Sequence, residues 1–130
     1  MNKIQPNSIE AVILFTLYIC GQDNLIAEEE LEQLSLEIPV LQKLYFDIYG
    51  EYIEEDLGMI IKQTSSLITN EKKYTGKNIT KLEKDTFSKL LTDPTIQDIS
   101  LLSSRHAASA DGFHKLESKK YDYWSKQWGL

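Results

Sequence analysis

The sequence predicts an all-α fold, a compact bundle of six or seven helices in one domain spanning residues 1–130. Three observations predict it. Apolar residues recur at spacings of three and four along most of the chain, the period of one helix face. No segment alternates apolar and polar residues at period two between turn signals, as a half-buried strand does. Capping residues, glycines and prolines divide the chain into helix-length pieces. With 130 residues, 42% of them hydrophobic and 26% charged, the chain can bury a core without disulfides or metal, and its composition is not that of a disordered protein.

Ile9, Val12, Ile13, Leu17 and Cys20 mark the first helix, and Leu14, Phe15, Tyr18 and Ile19 fill its other side, so it is central and buried. Asn7 with Glu10 three residues later reads as a capping-box start, and Gly21 supplies the stop. Glu28, Glu29 and Glu30 open a short helix, favoured there by the positive end of the macrodipole, with Leu31 and Leu34 facing inward. Pro39 starts the next, since proline fits a first turn but not a helix interior. Its stripe is Leu41, Leu44, Tyr45 and Ile48, and Gly50 weakens or kinks it. Ile53, Leu57, Ile60, Ile61, Leu67 and Ile68 give the clearest amphipathic helix, and residues 70–78 read as an exposed loop or, around Tyr74 to Ile79, a small hairpin.

Thr80 and Glu83 form a second capping box ahead of Leu82, Phe87, Leu90 and Leu91. Asp93 followed by Pro94 is an N-cap with proline at the first helical position, and that helix carries Ile96, Ile99, Leu102, His106 and Ala110 on its apolar stripe. The last helix carries Leu116, Tyr121, Trp124 and Trp128, an aromatic face that lines the core. Short connections predict antiparallel neighbours.

The apolar run 11–20 is too short to span a bilayer, so no membrane insertion is expected. Glu10 beside it and the absence of a basic leader argue against a secretory signal, which predicts a cytoplasmic protein. The only cysteine, Cys20, agrees with a reducing compartment and reads as a small core residue. A net charge of -6 argues against unaided binding to nucleic acid or anionic membrane. The charge is also segregated. Between Asp23 and Asp56 eleven acids stand against the single base Lys43, whereas the stretch from Lys62 to Lys89 is basic on balance.

The turn after the first helix and the turn before the last echo each other, with Asp23 and Glu29 in one and Asp111 and Glu117 in the other, six residues apart in each. Asn24 and Gly112 follow the two aspartates, and both residue types tolerate a left-handed turn. Each aspartate either caps the following helix or closes an Asx-turn, or the two copies converge as hard oxygen ligands of a divalent cation such as Ca²⁺ or Mg²⁺. Converging carboxylates repel one another unless a cation or water intervenes. An EF-hand does not explain them: with Asp23 at the fifth loop position, Ile19 and Gly21 occupy the first and third, and in the second copy Ala107 and Ser109 do so while Ser118 replaces the closing glutamate.

The segment from Tyr18 to Leu34, with ICGQDNLIAEEELEQL at its centre, and AASADGFHKLESKKYDYW, residues 107–124, resemble the two acidic motifs of TerB-like tellurite-resistance proteins. The resemblance implies an all-helical, non-catalytic, bacterial stress-response module in which Asp23, Glu29 and Glu30 pair with Asp111 and Glu117 in an acidic metal-binding surface. The chain departs from that pattern at Gly21, Gln22 and Asn24, and at His114, where the family tends to carry an aliphatic residue.

Other classes have less sequence support. His114 and Glu117 stand three apart beside Asp111, which allows a mixed nitrogen and oxygen metal site, but the paired Glu-x-x-His units of di-iron bundles are missing. His106 reads as a core or interface histidine. No Walker motif, nucleophile elbow or Cys-x-x-Cys pair occurs. The acidic stretch supports a further class, an immunity-type or inhibitor protein that caps a basic protein partner through electrostatic steering.

Overall fold

The structure, a computed structural model, describes residues 5–20, 79–109 and 115–129, together with positions 32, 36, 39–40, 42–44, 46–47 and 50. Among the described residues four continuous helices are defined: α1 (Ile9–Cys20), α2 (Lys81–Leu90), α3 (Pro94–Ser109) and α4 (Lys115–Gln127). The isolated positions from 32 to 47 are also helical, and the described residues contain no strand. No helix among them is long and apolar enough to cross a membrane. The helix expected over Ile53 to Ile68 and the loop at 70–78 lie outside the described residues.

α1 is buried on every side, from Ile9 to Cys20 with only Glu10 partly in water. Ile9, Val12, Ile13, Thr16 and Ile19 are β-branched and intrinsically mediocre helix formers. Burial therefore holds this helix, at about 2 kcal/mol for each large apolar side chain taken from water. Its N-cap is Ser8, one residue later than expected: the Ser8 hydroxyl accepts from the Ala11 N–H (3.2 Å) and donates to the Gln5 carbonyl (2.7 Å).

Asn7 is engaged elsewhere. With φ at 58° it occupies the left-handed region that asparagine tolerates better than most residues. Its N–H donates to the Leu90 carbonyl (2.7 Å), its amide oxygen accepts from the Thr92 and Asp93 N–H groups (2.9 and 3.0 Å), and its amide nitrogen donates to the Thr92 hydroxyl (2.8 Å). One side chain thus fixes the α2–α3 turn to the start of α1.

α2 and α3 start as the sequence predicts, Thr80 accepting from the Glu83 N–H (3.2 Å) and Asp93 accepting from the Thr95 N–H (2.9 Å) ahead of Pro94. Of the expected stripes, Phe87, Leu90, Leu91, Ile96 and Ile99 do pack in or against the core, whereas Leu82, Leu102 and His106 do not. On α2 the core receives Glu83 and Phe87, while Leu82 is 42% exposed. On α3 it receives Ile96, Ser100, Leu101, Ser103, Ser104, Ala107 and Ala108, whereas Leu102 and His106 point to water. A run of serines and alanines looks polar or weak in a hydrophobicity pattern, yet it lets α3 approach the bulky surface of α1, and these two helices form the most extensive packing among the described elements. Thr16 donates across this contact to Ser103 (3.1 Å), and Ser104 bonds the Ser100 carbonyl (2.7 Å).

The helix directions follow from the contacts. Asn7 meets Thr92 and Asp93, Thr16 meets Ser103, and Cys20 packs with Ala107 and Ala108, so α1 and α3 run parallel. Tyr18 meets Lys120, and Phe15 meets Trp124 and Trp128, so α4 runs antiparallel to α1. α2 does likewise, through Glu83 on Tyr18 and Phe87 on Phe15. The expected antiparallel arrangement of sequence neighbours thus holds from α2 to α4.

Trp128 is half-buried against the core, as expected of an aromatic core-lining face, with its ring 5.2 Å from those of Phe15 and Trp124. Gly129 follows with φ at 68° and donates to the Lys126 carbonyl, a left-handed helix ending that glycine adopts freely. Gly50 behaves the same way, at φ 71° with its N–H on the Phe46 carbonyl (2.8 Å); it stands outside the helical positions and is no interior kink.

Candidate functional site

The densest meeting of titratable groups among the described residues lies inside the bundle, where α1, α2 and α4 converge. Tyr18 comes from α1, Glu83 from α2, and Lys120 and Trp124 from one face of α4, four residues apart. Glu83 Oε2 accepts from the Tyr18 hydroxyl (2.6 Å) and from Lys120 Nζ (2.7 Å). The Tyr18 oxygen in turn accepts from the Trp124 indole N–H (3.3 Å). Lys120 Nζ also lies 5.4 Å from the centre of the Tyr18 ring. Glu83, Lys120 and Tyr18 are 0% exposed and Trp124 is 1% exposed.

Around this cluster is an aromatic shell. Phe87 stacks on Tyr18 at 4.5 Å, and Phe15 stands edge-on to Phe87 (5.4 Å) and Trp124 (6.2 Å). Such pairs contribute roughly 0.5–1.5 kcal/mol each beyond their buried area. The shell also removes water from the ion pair. Burial, reinforced by the Glu83 carboxylate, pushes the Tyr18 hydroxyl well above the ordinary tyrosine range. Burial lowers Lys120, against the opposing effect of its bond to Glu83. Glu83 Oε1 has no protein hydrogen-bond partner.

With all three polar groups closed from solvent, the arrangement acts as a register lock. Only one rotation of α2 and one of α4 bring Glu83 and Lys120 onto Tyr18. Desolvating the pair costs several kcal/mol per ion, which its short hydrogen bonds offset only in this geometry. Sequence reasoning gave Glu83 a capping role and left Lys120 aside. The available signal was opposite charges on two aromatic faces: Glu83 stands four residues before Phe87, and Lys120 four before Trp124 and eight before Trp128.

Asp23, Glu29, Glu30, Asp111 and His114 lie outside the described residues. Glu117 is in the first turn of α4, the expected place for an acid, but its side chain is outside them as well. Among the described residues no group of three or more His, Cys, Asp or Glu side chains is placed to hold a metal. Cys20 is buried as expected. His106, expected in a core or interface, is exposed because the small residues of α3 take the inward face. No family model, curated protein or solved structure matches the chain.

Lys120→Met leaves the Glu83 carboxylate buried and uncompensated and is expected to cost about 3–5 kcal/mol in urea unfolding. Glu83→Leu/Lys120→Met removes both charges and should recover most of that loss. Equal losses in the two variants would contradict a register lock. The raised Tyr18 hydroxyl makes a second prediction. The folded chain keeps this proton while the unfolded chain releases it near pH 10, so the stabilisation is full below about pH 10 and is lost as pH rises beyond it. The lowered Lys120 works in the opposite sense, with stability rising as pH climbs toward the ordinary lysine value. Tyrosinate absorbance isolates Tyr18 from it. Wild type and Tyr18→Phe should titrate identically until alkaline unfolding, where wild type gains one extra tyrosinate; an extra tyrosinate in the folded wild type would refute the assignment.

Proposed function

We propose that this chain is a non-catalytic, TerB-like binding module of six or seven helices, working in the cytoplasm in a stress response. Two acidic turns would hold one divalent cation, Ca²⁺ or Mg²⁺, between Asp23, Glu29 and Glu30 on one side and Asp111 and Glu117 on the other. The observation that carries this reading is the parallel register of α1 and α3. Asn7 pairs with Asp93, Thr16 with Ser103, and Cys20 with Ala107 and Ala108, an offset of 86 to 88 residues from one helix to the other. Asp23 and Asp111 are separated by 88. Cys20 packs with Ala107 and Ala108, and Asp23 follows Cys20 by three residues as Asp111 follows Ala108, which supports a meeting of the two acidic segments.

Hard carboxylate oxygens favour Ca²⁺ or Mg²⁺; participation of His114 would shift the preference toward Mn²⁺ or Zn²⁺. The Tyr18–Glu83–Lys120 cluster is buried, which fits a structural role for these three side chains.

Thermal unfolding of chelator-stripped protein tests the reading. A cation that binds only the native state raises stability, by about 2.7 kcal/mol at a hundred times its dissociation constant, which is several degrees for a domain of this size. Millimolar Ca²⁺ or Mg²⁺ should give that rise in wild type and not in Asp23→Asn/Asp111→Asn. No rise with Ca²⁺, Mg²⁺, Mn²⁺ or Zn²⁺ would leave the two aspartates as capped turns.

A further inference from the structure

α2 and α4 lie side by side and run the same way, since both oppose α1 and they meet through Glu83 on Lys120 (2.7 Å) and Phe87 on Trp124 (6.0 Å). Outward of that contact the two helices share a basic edge. Lys84 Nζ lies 5.6 Å from the centre of the Tyr123 ring, which places the edge. On α2 the residues Lys81, Lys84 and Ser88 form one stripe, and on α4 Lys119, Tyr123 and Lys126 form the other, at the three- and four-residue spacings of a helix face. All are exposed except the half-buried Tyr123. Lys81, Lys84 and Lys126 form no ion pair with any described residue. At about 100° per residue, Asp85 stands about 40° beyond Lys81 and Asp122 about 40° beyond Lys126, so an exposed carboxylate borders each outer side of the strip and none lies within it.

We propose that this strip docks a short acidic segment of a protein partner, with glutamates or aspartates spaced along one face. Charge on the described residues selects the occupant: four lysines with no carboxylate between them attract an anion. The bordering aspartates set the width. A nucleic-acid duplex or an anionic bilayer presents its charge on a broad front and would set part of it against Asp85 and Asp122. The net charge of -6 opposes such extended polyanions further. A short segment instead feels the groups within one Debye length, about 8 Å at physiological salt, and there the lysines prevail. Length agrees as well, since Lys119 to Lys126 span about 10 Å along α4, two turns of helix. Ammonium groups on flexible stems pair with such carboxylates without requiring one fixed geometry.

The strip is separate from the proposed cation site, and it is tested with chelator present so that no cation bridges an acidic peptide to the chain. The probe is a fluorescent peptide of about 12 residues, three helical turns, with glutamates on one face and alanines elsewhere. Anisotropy should show it binding the full chain, about tenfold or more weakly when salt rises from low to several times physiological strength. Lys81→Gln/Lys84→Gln/Lys126→Gln should weaken binding about tenfold or more with unchanged circular dichroism, because all three side chains are exposed. Lys43→Gln/Lys89→Gln/Arg105→Gln removes the same formal charge from exposed positions off the strip and should leave binding within about twofold. Equal weakening by the two variants would reduce the interaction to overall charge and overturn the proposal. So would no binding at about 100 μM peptide, a DNA duplex that binds as tightly as the peptide, or sedimentation showing a dimer that the strip variant abolishes.

Discussion

A helix with no face left for water has to be surrounded, and α1 is such a helix: eleven of its twelve residues are buried. Its β-branched composition makes it a poor helix in isolation, so its existence depends on the elements packed on it, and their positions depend on it in turn. α3 lies along one side, close because its inward residues are serine and alanine. α2 and α4 bring Phe87, Trp124 and Trp128 onto Phe15 and Tyr18. Asn7 closes the near end by binding the α2–α3 turn.

Hydrophobic burial by itself permits several rotations of an amphipathic helix, since aromatic and aliphatic residues substitute for one another with modest penalties. The Tyr18–Glu83–Lys120 cluster removes that freedom. A carboxylate and an ammonium cannot be buried in the wrong register without leaving an unpaired charge, so misrotated packings of α2 and α4 are penalised far more than the correct one is favoured. Its value lies in specificity more than in stability. The parallel run of α1 and α3 also brings Cys20 against Ala107 and Ala108.

The fold class was legible because it rests on periodicity and on caps. Thr80 and Asp93 start their helices as their residue types predict, and the buried character of α1 follows from ten nearly continuous apolar positions. Phe87, Leu91 and Ile96 are in the core as their spacing predicts; what escaped the sequence was which polar and small residues join them there. Leu82 and Leu102 outrank Glu83, Ser103 and Ser104 on any hydrophobicity scale, yet they face water, because the core needed a partner for Lys120 on one helix and close approach on the other. Asn7 looked like a cap and is a clamp, its side chain held by Thr92 and Asp93 while the Ser8 hydroxyl accepts from the Ala11 N–H. The repeat of Asp23 and Glu29 in Asp111 and Glu117 was legible in the sequence, but apart from the helical position of Glu117 these residues lie outside the described ones.

Distances between spin labels distinguish a parallel from an antiparallel run of α1 and α3. Labels at Asp23→Cys and Asp111→Cys, in a Cys20→Ser background, should lie close together, while Asp23→Cys and Thr92→Cys should be separated by at least the length of α1. Its twelve residues span about 18 Å. A short distance for the first pair and a long one for the second is the result the account predicts. The reverse order would mean that α1 and α3 run antiparallel, and both the shared end of the bundle and the cation site proposed there would fall with it.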